Sequence, residues 1–131
     1  MYRLRRMPGR VRVQCRRFQL ERRRGSLQER LVEYCAAVMS RLADRLLYIN
    51  VLQHYQQGCD CFGRKQDAIC PDVGLVVSRD LIAADTAAAD LLIRETGRDV
   101  ALEAGGREYR PMLEYGEAMG LGSTKYELIK A

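Results

Sequence analysis

The sequence predicts an α/β fold, in which helices pack against a layered sheet of at least two buried strands plus an edge strand. Two uniformly apolar runs, residues 46–52 (LLYINVL) and 73–77 (VGLVV), are typical of strands whose two faces are both covered. An alanine-rich segment at 80–95 follows the second run and has the spacing of a helix. Strand, connection, strand and helix in this order are typical of layered α/β domains. The chain has 131 residues, of which 47% are hydrophobic, and this is enough for one core.

Charge separates the first 25 residues from the rest of the chain. They contain ten arginines and one acid, Glu21, which gives a net charge of +9. Residues 26–131 have a net charge of −4, and the two parts together give the total of +5. Such an arm could neutralise phosphates of nucleic acid. Aromatic residues interleave only at Tyr2 and Phe18, however, and no binding module is recognisable. We therefore expect a disordered or non-native Arg-rich arm over 1–25, followed by an α/β domain over 26–131, and we disfavour nucleic acid as a partner.

Three features of the sequence concern the cellular location of the protein. No apolar run approaches the roughly 18 residues of a membrane span, so we expect no membrane association. Arginines at 22–24 occupy the place where an export signal has its apolar stretch. Five cysteines are an odd number, which argues against a secreted disulfide framework. We therefore expect a cytoplasmic protein.

The first predicted helix covers residues 27–43. Ser26 and Glu29 form a capping box, in which each side chain satisfies a backbone N–H group at the helix start. Apolar residues then recur at spacings of three and four and predict one buried face, which consists of Leu27, Leu31, Tyr34, Cys35, Val38 and Leu42. In this interpretation Cys35 is a small buried hydrophobe.

The remaining elements follow from local signals. A connection at 53–71 joins the two apolar strands and is long enough to be functional or disordered. Ser78 or Asp80 can cap the helix at 80–95, and Gly97 can end it. Alanines at 83, 84 and 87–89 predict a close approach to the sheet. Residues 98–110 are expected to be irregular, 111–119 helical, and 124–130 an edge strand.

The cysteines in the connection are the first candidate site. Cys59 and Cys61 are one residue apart beside a glycine, so both thiols could bind one soft metal ion or an iron–sulfur cluster. Cys70 and His54 would complete a set of four ligands. The spacing is not the C-x2-C of common zinc and ferredoxin sites, so a redox-active pair and plain structural cysteines remain open. His54 alone would be a hydrogen-bonded loop histidine.

Aspartates form the second candidate site. Asp72 precedes the strand at 73–77, and Asp80 and Asp85 lie at the start of the next helix. Carboxylates at the end of a strand could bind a hard cation such as Mg²⁺, but we prefer to interpret them as helix caps and solvated charges. The residues specify no Ser/His/Asp catalytic set, so they do not decide whether the protein is an enzyme.

A family resemblance adds to these observations. The succession SLQERLVEYCAAVM, LLYINVLQ, GCDC, AICPDVGLVVSRDLIAADTAAADLL and GLGSTKYELI resembles the carboxyl-terminal part of the domain of unknown function 362 family, often described as iron–sulfur centre proteins. The resemblance covers residues 26–130. Members of that family commonly carry, ahead of this region, a ferredoxin-type segment with two C-x2-C-x2-C-x3-C-P runs, and this sequence contains neither run.

The resemblance implies several properties. It places the family's paired cysteines, Pro-Asp-hydrophobic-Gly run and Asp-rich helix start at Cys59, Cys61, Pro71, Asp72, Gly74, Asp80 and Asp85. The sequence departs from the pattern at Leu81, where proline is usual, and at Cys70, where an apolar residue is usual. It implies an iron–sulfur (4Fe–4S) or redox association, without a substrate, for what would be a fragment of a larger domain.

Partners follow from the same resemblance. A fragment of this kind would need a redox partner or the upstream half of the domain, and a sheet with open edges could form a homo-oligomer. The alternative function is a non-enzymatic α/β binding or scaffold module in which the cysteines are structural.

Overall fold

The computed structural model describes residues 2–4, 27–42, 45–58, 61 and 63–130. The helices and strands in these ranges are, in chain order, β1 (Tyr2–Leu4), α1 (Leu27–Leu42), β2 (Tyr48–Leu52), β3 (Gly74–Ser78), α2 (Leu81–Thr96), α3 (Val100–Gly105), α4 (Arg110–Ala118) and β4 (Leu128–Lys130). The predicted α/β class is confirmed. No described helix is both long enough and apolar enough to cross a membrane.

The strands form one mixed sheet in the order β2-β3-β1-β4. β1 runs parallel to β3 and antiparallel to β4, and β2 runs antiparallel to β3. The predicted strand at 73–77 is confirmed as the inner strand β3, in which Val76 and Ser78 are buried. The edge strand expected at 124–130 is confirmed as the shorter β4. Tyr2–Leu4 of the Arg-rich segment is a strand of this sheet, while the prediction of a disordered or non-native arm stays a prediction for the remainder, which lies outside the described residues.

Helix α2 covers one face of the sheet and has the ends that the sequence predicts. Asp80 caps its start and Gly97, with φ of 72°, ends it in the left-handed conformation that glycine favours. The alanines at 83, 84 and 87–89 are all buried. Their small side chains let the helix approach the sheet closely, as predicted.

The other face of the sheet differs from the prediction. Ile49 and Val51 of β2 are 54% and 57% exposed, whereas their neighbour Leu52 is buried. The expectation that this strand is covered on both faces is therefore wrong. β2 lies at an edge of the sheet, and α2 packs on only one of its faces, which explains the alternation in burial.

Helix α1 buries a different face from the predicted one. Val32 is buried, and Ala36 and Met39 pack beside it against Ile82 of α2 and Leu113 of α4. The predicted face is exposed instead, including Cys35. The helix has two apolar faces, and the neighbouring helix α4 determines which one is buried. The Ser26 capping box lies outside the described residues.

The last third of the chain contains one helix that was not predicted. α3 begins after Asp99, whose carboxylate accepts a hydrogen bond from Leu102 N, and ends at Gly106. Residues 98–110 are therefore not irregular throughout. α4 has Pro111 in its first turn, as predicted, and its buried Gly116 leaves room for Ile82.

Candidate functional site

The long connection between β2 and β3 forms a hairpin-like loop whose two sides are joined at three levels. At the base, Val73 N donates to Leu52 O at 2.8 Å, and further out Ile69 N donates to Tyr55 O at 2.8 Å. Near the end, Gln66 bridges the two sides, because its Oε1 accepts from Gly58 N at 3.0 Å and its Nε2 donates to Gly58 O at 3.2 Å. The described residues beyond this bridge, Cys61 and 63–65, consequently form the tip of this loop.

His54 and Asp72 lie near the base of the loop. His54 has a φ of 48°, and its backbone N–H group donates to Asp72 Oδ1 at 2.7 Å. Both residues are exposed. Asp72 thus acts on the backbone of a strained turn residue, which is a structural role.

Cys70 also lies near the base, but it faces inward. Its side chain is half-buried and packs against the core cluster that includes Leu52, Val76 and Leu91. Its thiol is free. Cys70 therefore takes the place of a small apolar residue.

Cys61 lies at the tip and differs from the other described cysteines. It is exposed and disulfide-bonded, whereas Cys35 and Cys70 are free. The partner of Cys61 is therefore not among the described residues, and Cys59 also lies outside them. A disulfide at an exposed loop tip is open to attack by a thiolate from solution.

The described part of the predicted four-ligand set does not come together. His54 and Cys70 are at the base of the loop and Cys61 is at its tip, and within the described ranges no group of three or more His, Cys, Asp or Glu residues could hold a metal ion. A sulfur in a disulfide is also not a thiolate ligand, so Cys61 would have to be reduced before it could bind a metal. The described members of the set therefore form no metal site among themselves, and the full set with Cys59 stays a prediction.

Asp80 makes contacts that explain it as a structural residue. Its Oδ1 accepts from Ala83 N at 2.9 Å, and its Oδ2 accepts from Ser123 N at 3.1 Å. Its own backbone N–H group donates to Ser78 Oγ at 2.9 Å. A Cβ atom at residue 122 would overlap the Asp80 carboxylate, which requires Gly122 there. Asp80 thus caps α2 and fixes the loop that leads to β4.

Asp85 is the more unusual carboxylate. It is half-buried in α2 and accepts a hydrogen bond from Asn50 Nδ2 of β2 at 2.8 Å. Burial raises the pKa of Asp85, and the hydrogen bond from Asn50 opposes that effect in part. Asp72, Asp80 and Asp85 therefore have separate partners, and the hydrogen bonds do not join them into one cation site.

Two further polar groups were not singled out in the sequence. Glu117 holds the loop before β4, because Thr124 Oγ1 and Ser123 Oγ donate to its carboxylate at 2.7 and 2.9 Å, and these bonds lower the pKa of Glu117. The hydroxyl of Tyr48 is buried and has no hydrogen-bond partner within the described ranges. Burial raises the pKa of Tyr48, as do nearby Cys35 and Asp80. The Gly-Leu-Gly-Ser-Thr run after α4 could have indicated the hydrogen bonds of Glu117. No local signal in the sequence indicates the buried hydroxyl of Tyr48.

An open cavity of about 370 Å³ lies beside the loop and is lined by Gln57, Ile69, Arg98, Glu103 and Ala104. Arg98 Nη2 donates to Ile69 O at 2.6 Å, and Arg98 also pairs with Glu103. These bonds connect Ile69, on the side of the loop that returns to β3, with Glu103 of α3.

Comparison with known protein families places the chain in relation to a family of unknown function. A family model described as a domain of unknown function (DUF362) matches residues 6–90. The match overlaps the resemblance over residues 26–90 and extends into the Arg-rich segment. Neither the curated proteins nor the solved structures contain a match to the chain.

Proposed function

Because the chain belongs to the domain of unknown function 362 family, we propose that it is a redox-associated protein whose reactive group is a thiol–disulfide couple formed by Cys59 and Cys61. The observation that carries this proposal is the disulfide of Cys61 at the exposed tip of the loop. The assignment of Cys59 as its partner rests on the sequence, where one residue separates the two cysteines.

The setting of Cys61 favours a reactive role over a structural one. We place the protein in the cytoplasm, where disulfides are usually transient and take part in catalysis or redox sensing. The hydrogen bonds of Tyr55 and Gly58 hold the loop below the tip and do not involve Cys61. Reduction at the tip would therefore leave the sheet and its core unchanged.

The proposed reaction is thiol–disulfide exchange with a dithiol partner. A partner thiolate attacks one sulfur of the disulfide and releases the other as a thiolate, which gives a mixed disulfide. The second thiol of the partner then resolves it. The partner is left oxidised and Cys59 and Cys61 reduced, so two electrons and two protons pass from partner to protein. Exposure of Cys61 gives the attacking thiolate access to the bond.

The reduced pair is also our candidate for the iron–sulfur association of the family. Cys59 and Cys61 would supply thiolates to a cluster or a soft metal ion, and other ligands would come from a partner protein or, in vitro, from a small thiol in solution. Cys70 and His54 do not belong to this set, because one is packed into the core and the other is held at the loop base. A bound cluster would supply one-electron transfer.

Peptide mapping tests the disulfide. Trypsin cleaves after Arg45 and Arg64 and so releases Cys59 and Cys61 on the single peptide 46–64. We expect this peptide from the non-reduced protein to be lighter by two hydrogen atoms than after reduction. Recovery of peptide 46–64 linked to another cysteine peptide, or with two free thiols, would contradict the proposed couple.

Reduction under defined conditions tests the role. A redox-active couple should exchange with glutathione at a cytoplasmic ratio of thiol to disulfide, because Cys61 is exposed. A disulfide that stays closed under those conditions would instead favour the binding or scaffold module with structural cysteines.

Anaerobic reconstitution with iron and sulfide tests the ligation. We expect bound iron and visible absorption in the wild type, and loss of both in the double variant Cys59→Ser, Cys61→Ser. Cys35→Ser is the matched control, because Cys35 is exposed and free on α1. Equal iron content in the wild type and the double variant would rule out ligation at this loop.

A further inference from the structure

Helix α1 has an apolar surface that no described element covers. Val32 faces the core, whereas five large side chains on another face are 39–75% exposed. We call this face the outer stripe, and it consists of Leu27, Leu31, Tyr34, Val38 and Leu42. Spacings of four, three, four and four residues keep these side chains on one side of the helix. Such a stripe is typical of a helix that packs against another helix.

The outer stripe is symmetric about the middle of the helix. Leu27 and Leu42 are equally far from the point between residues 34 and 35, and so are Leu31 and Val38. The remaining member, Tyr34, has the exposed Cys35 as its mirror position. An antiparallel copy of the same helix would therefore set a large apolar side chain opposite each leucine and valine of the stripe.

We propose that the outer stripe is a homodimer interface, in which α1 packs antiparallel against α1 of a second copy. A two-fold interface requires a surface that is complementary to itself, because the same patch is used on both subunits. The symmetric spacing of the stripe meets this requirement. In this arrangement Leu31 contacts Val38 of the second copy, and Leu27 contacts Leu42 of the second copy.

The area of the stripe predicts a weak dimer. At roughly 180 Å² for a fully exposed large side chain, the five residues expose about 500 Å² per copy, or about 1,000 Å² in the pair. That is the lower limit for a specific interface and is typical of transient contacts. We therefore expect a reversible dimer with a dissociation constant in the micromolar range.

Two features beside the stripe give the proposal independent readouts. Cys35 lies near the proposed two-fold axis with a free thiol, so the two copies of this residue would be close enough for a short cross-linker. Arg30 and Arg41 are exposed along the opposite border of the stripe. The two-fold axis brings these like charges of both copies to the same side, so salt that screens them should strengthen the dimer.

Sedimentation velocity of the full chain over a range of concentrations tests the interface. We expect reversible dimerisation of the wild type and an at least tenfold weaker dimer for Val38→Glu, because the new carboxylate would face Leu31 of the second copy. Ile49→Glu is the matched control, since Ile49 is also 54% exposed but lies on the open face of the sheet. A wild type that stays monomeric, or equal weakening by both substitutions, would overturn the proposal.

Cross-linking with a short bismaleimide gives a second test that needs no change in the stripe. Covalent dimer should form in the wild type, increase with salt, and disappear in Cys35→Ser, while Cys35→Ser still sediments as a dimer. This measurement decides the question if circular dichroism shows that Val38→Glu does not fold. Cross-linking that is independent of Cys35 would refute the antiparallel arrangement.

Discussion

Helices α1 and α2 have the same length, sixteen residues, but very different surroundings. α2 buries eight residues between the sheet and its neighbours, whereas α1 buries only Val32. α2 also has a side-chain cap at its start and a glycine at its end. Both helices are rich in apolar residues, so apolar content does not account for the difference.

The size of the side chains and the available neighbours account for it. Five alanines of α2 let its backbone approach the strands, so most of its circumference is in contact with protein. α1 carries leucines, a tyrosine and a valine on its outer stripe, and no described element packs there. α2 therefore belongs to the core of the fold, whereas α1 lies at its boundary and has a second apolar face that stays exposed within one copy.

The largest expected effect is in the core of α2. Leu91 is 2% exposed, so Leu91→Ala would leave a cavity and lower the free energy of unfolding by about 3 kcal/mol. Urea denaturation followed by circular dichroism measures this change. A loss below about 1 kcal/mol would mean that the core around α2 relaxes easily, and the contrast with α1 would then fail.

The cap of α2 should have the next largest effect. Asp80→Ala removes the acceptor for Ala83 N and Ser123 N, so we expect a loss of about 2 kcal/mol in urea denaturation. Asp80→Asn keeps one carbonyl oxygen and should cost less. If both variants unfold at the same urea concentration, the hydrogen bonds do not supply the stability assigned to them.

The carboxyl of Asp85 makes the stability of the α2 layer depend on pH. Because burial raises the pKa of Asp85 in the folded state, ionisation costs more there than in the unfolded chain. The group therefore destabilises the fold as pH rises above about 4. Asp85→Asn cannot ionise and can still accept from Asn50 Nδ2.

The matching measurement compares urea denaturation of Asp85→Asn and wild type at about pH 3 and about pH 7. The variant should gain stability relative to wild type at the higher pH. Asp67→Asn, on the exposed connection, is the control and should show no such gain. An equal difference at both pH values would contradict the role given to burial.

The smallest expected effect is on the outer stripe. Leu31 is 50% exposed, so Leu31→Ala at submicromolar protein should change the free energy of unfolding by less than about 0.5 kcal/mol. Alanine also favours the helix, which offsets part of the lost contact. If Leu31→Ala lowered the free energy of unfolding as much as Leu91→Ala, the outer stripe would be covered within one copy. α1 and α2 would then not differ in burial.

Local signals allowed much of the fold to be predicted. Asp80 and Gly97 mark the ends of α2 because caps act within a few residues of the chain. The buried face of α1 could not be predicted, since Val32 and Met39 form a second apolar face that only the position of α4 selects. α3 was missed although Asp99 and Gly106 gave it both a cap and a stop.

Less of the candidate site could be predicted. The pair Cys59 and Cys61 is visible as a motif, but the position of Cys61 at a loop tip depends on hydrogen bonds that span the loop, such as those of Gln66. Distance along the chain suggested that Cys70 could join them. Its packing against the core is a property of the folded layers and has no local signal.

The place of β1 in the sheet has a consequence for folding. β1 lies between β3 and β4, and Tyr2 is in register with Lys130. Contacts between such distant parts of a sequence raise the contact order and slow folding. During synthesis β1 emerges long before its two neighbours. We therefore expect the helices to form early and the pairing of β1 with β3 and β4 to form last.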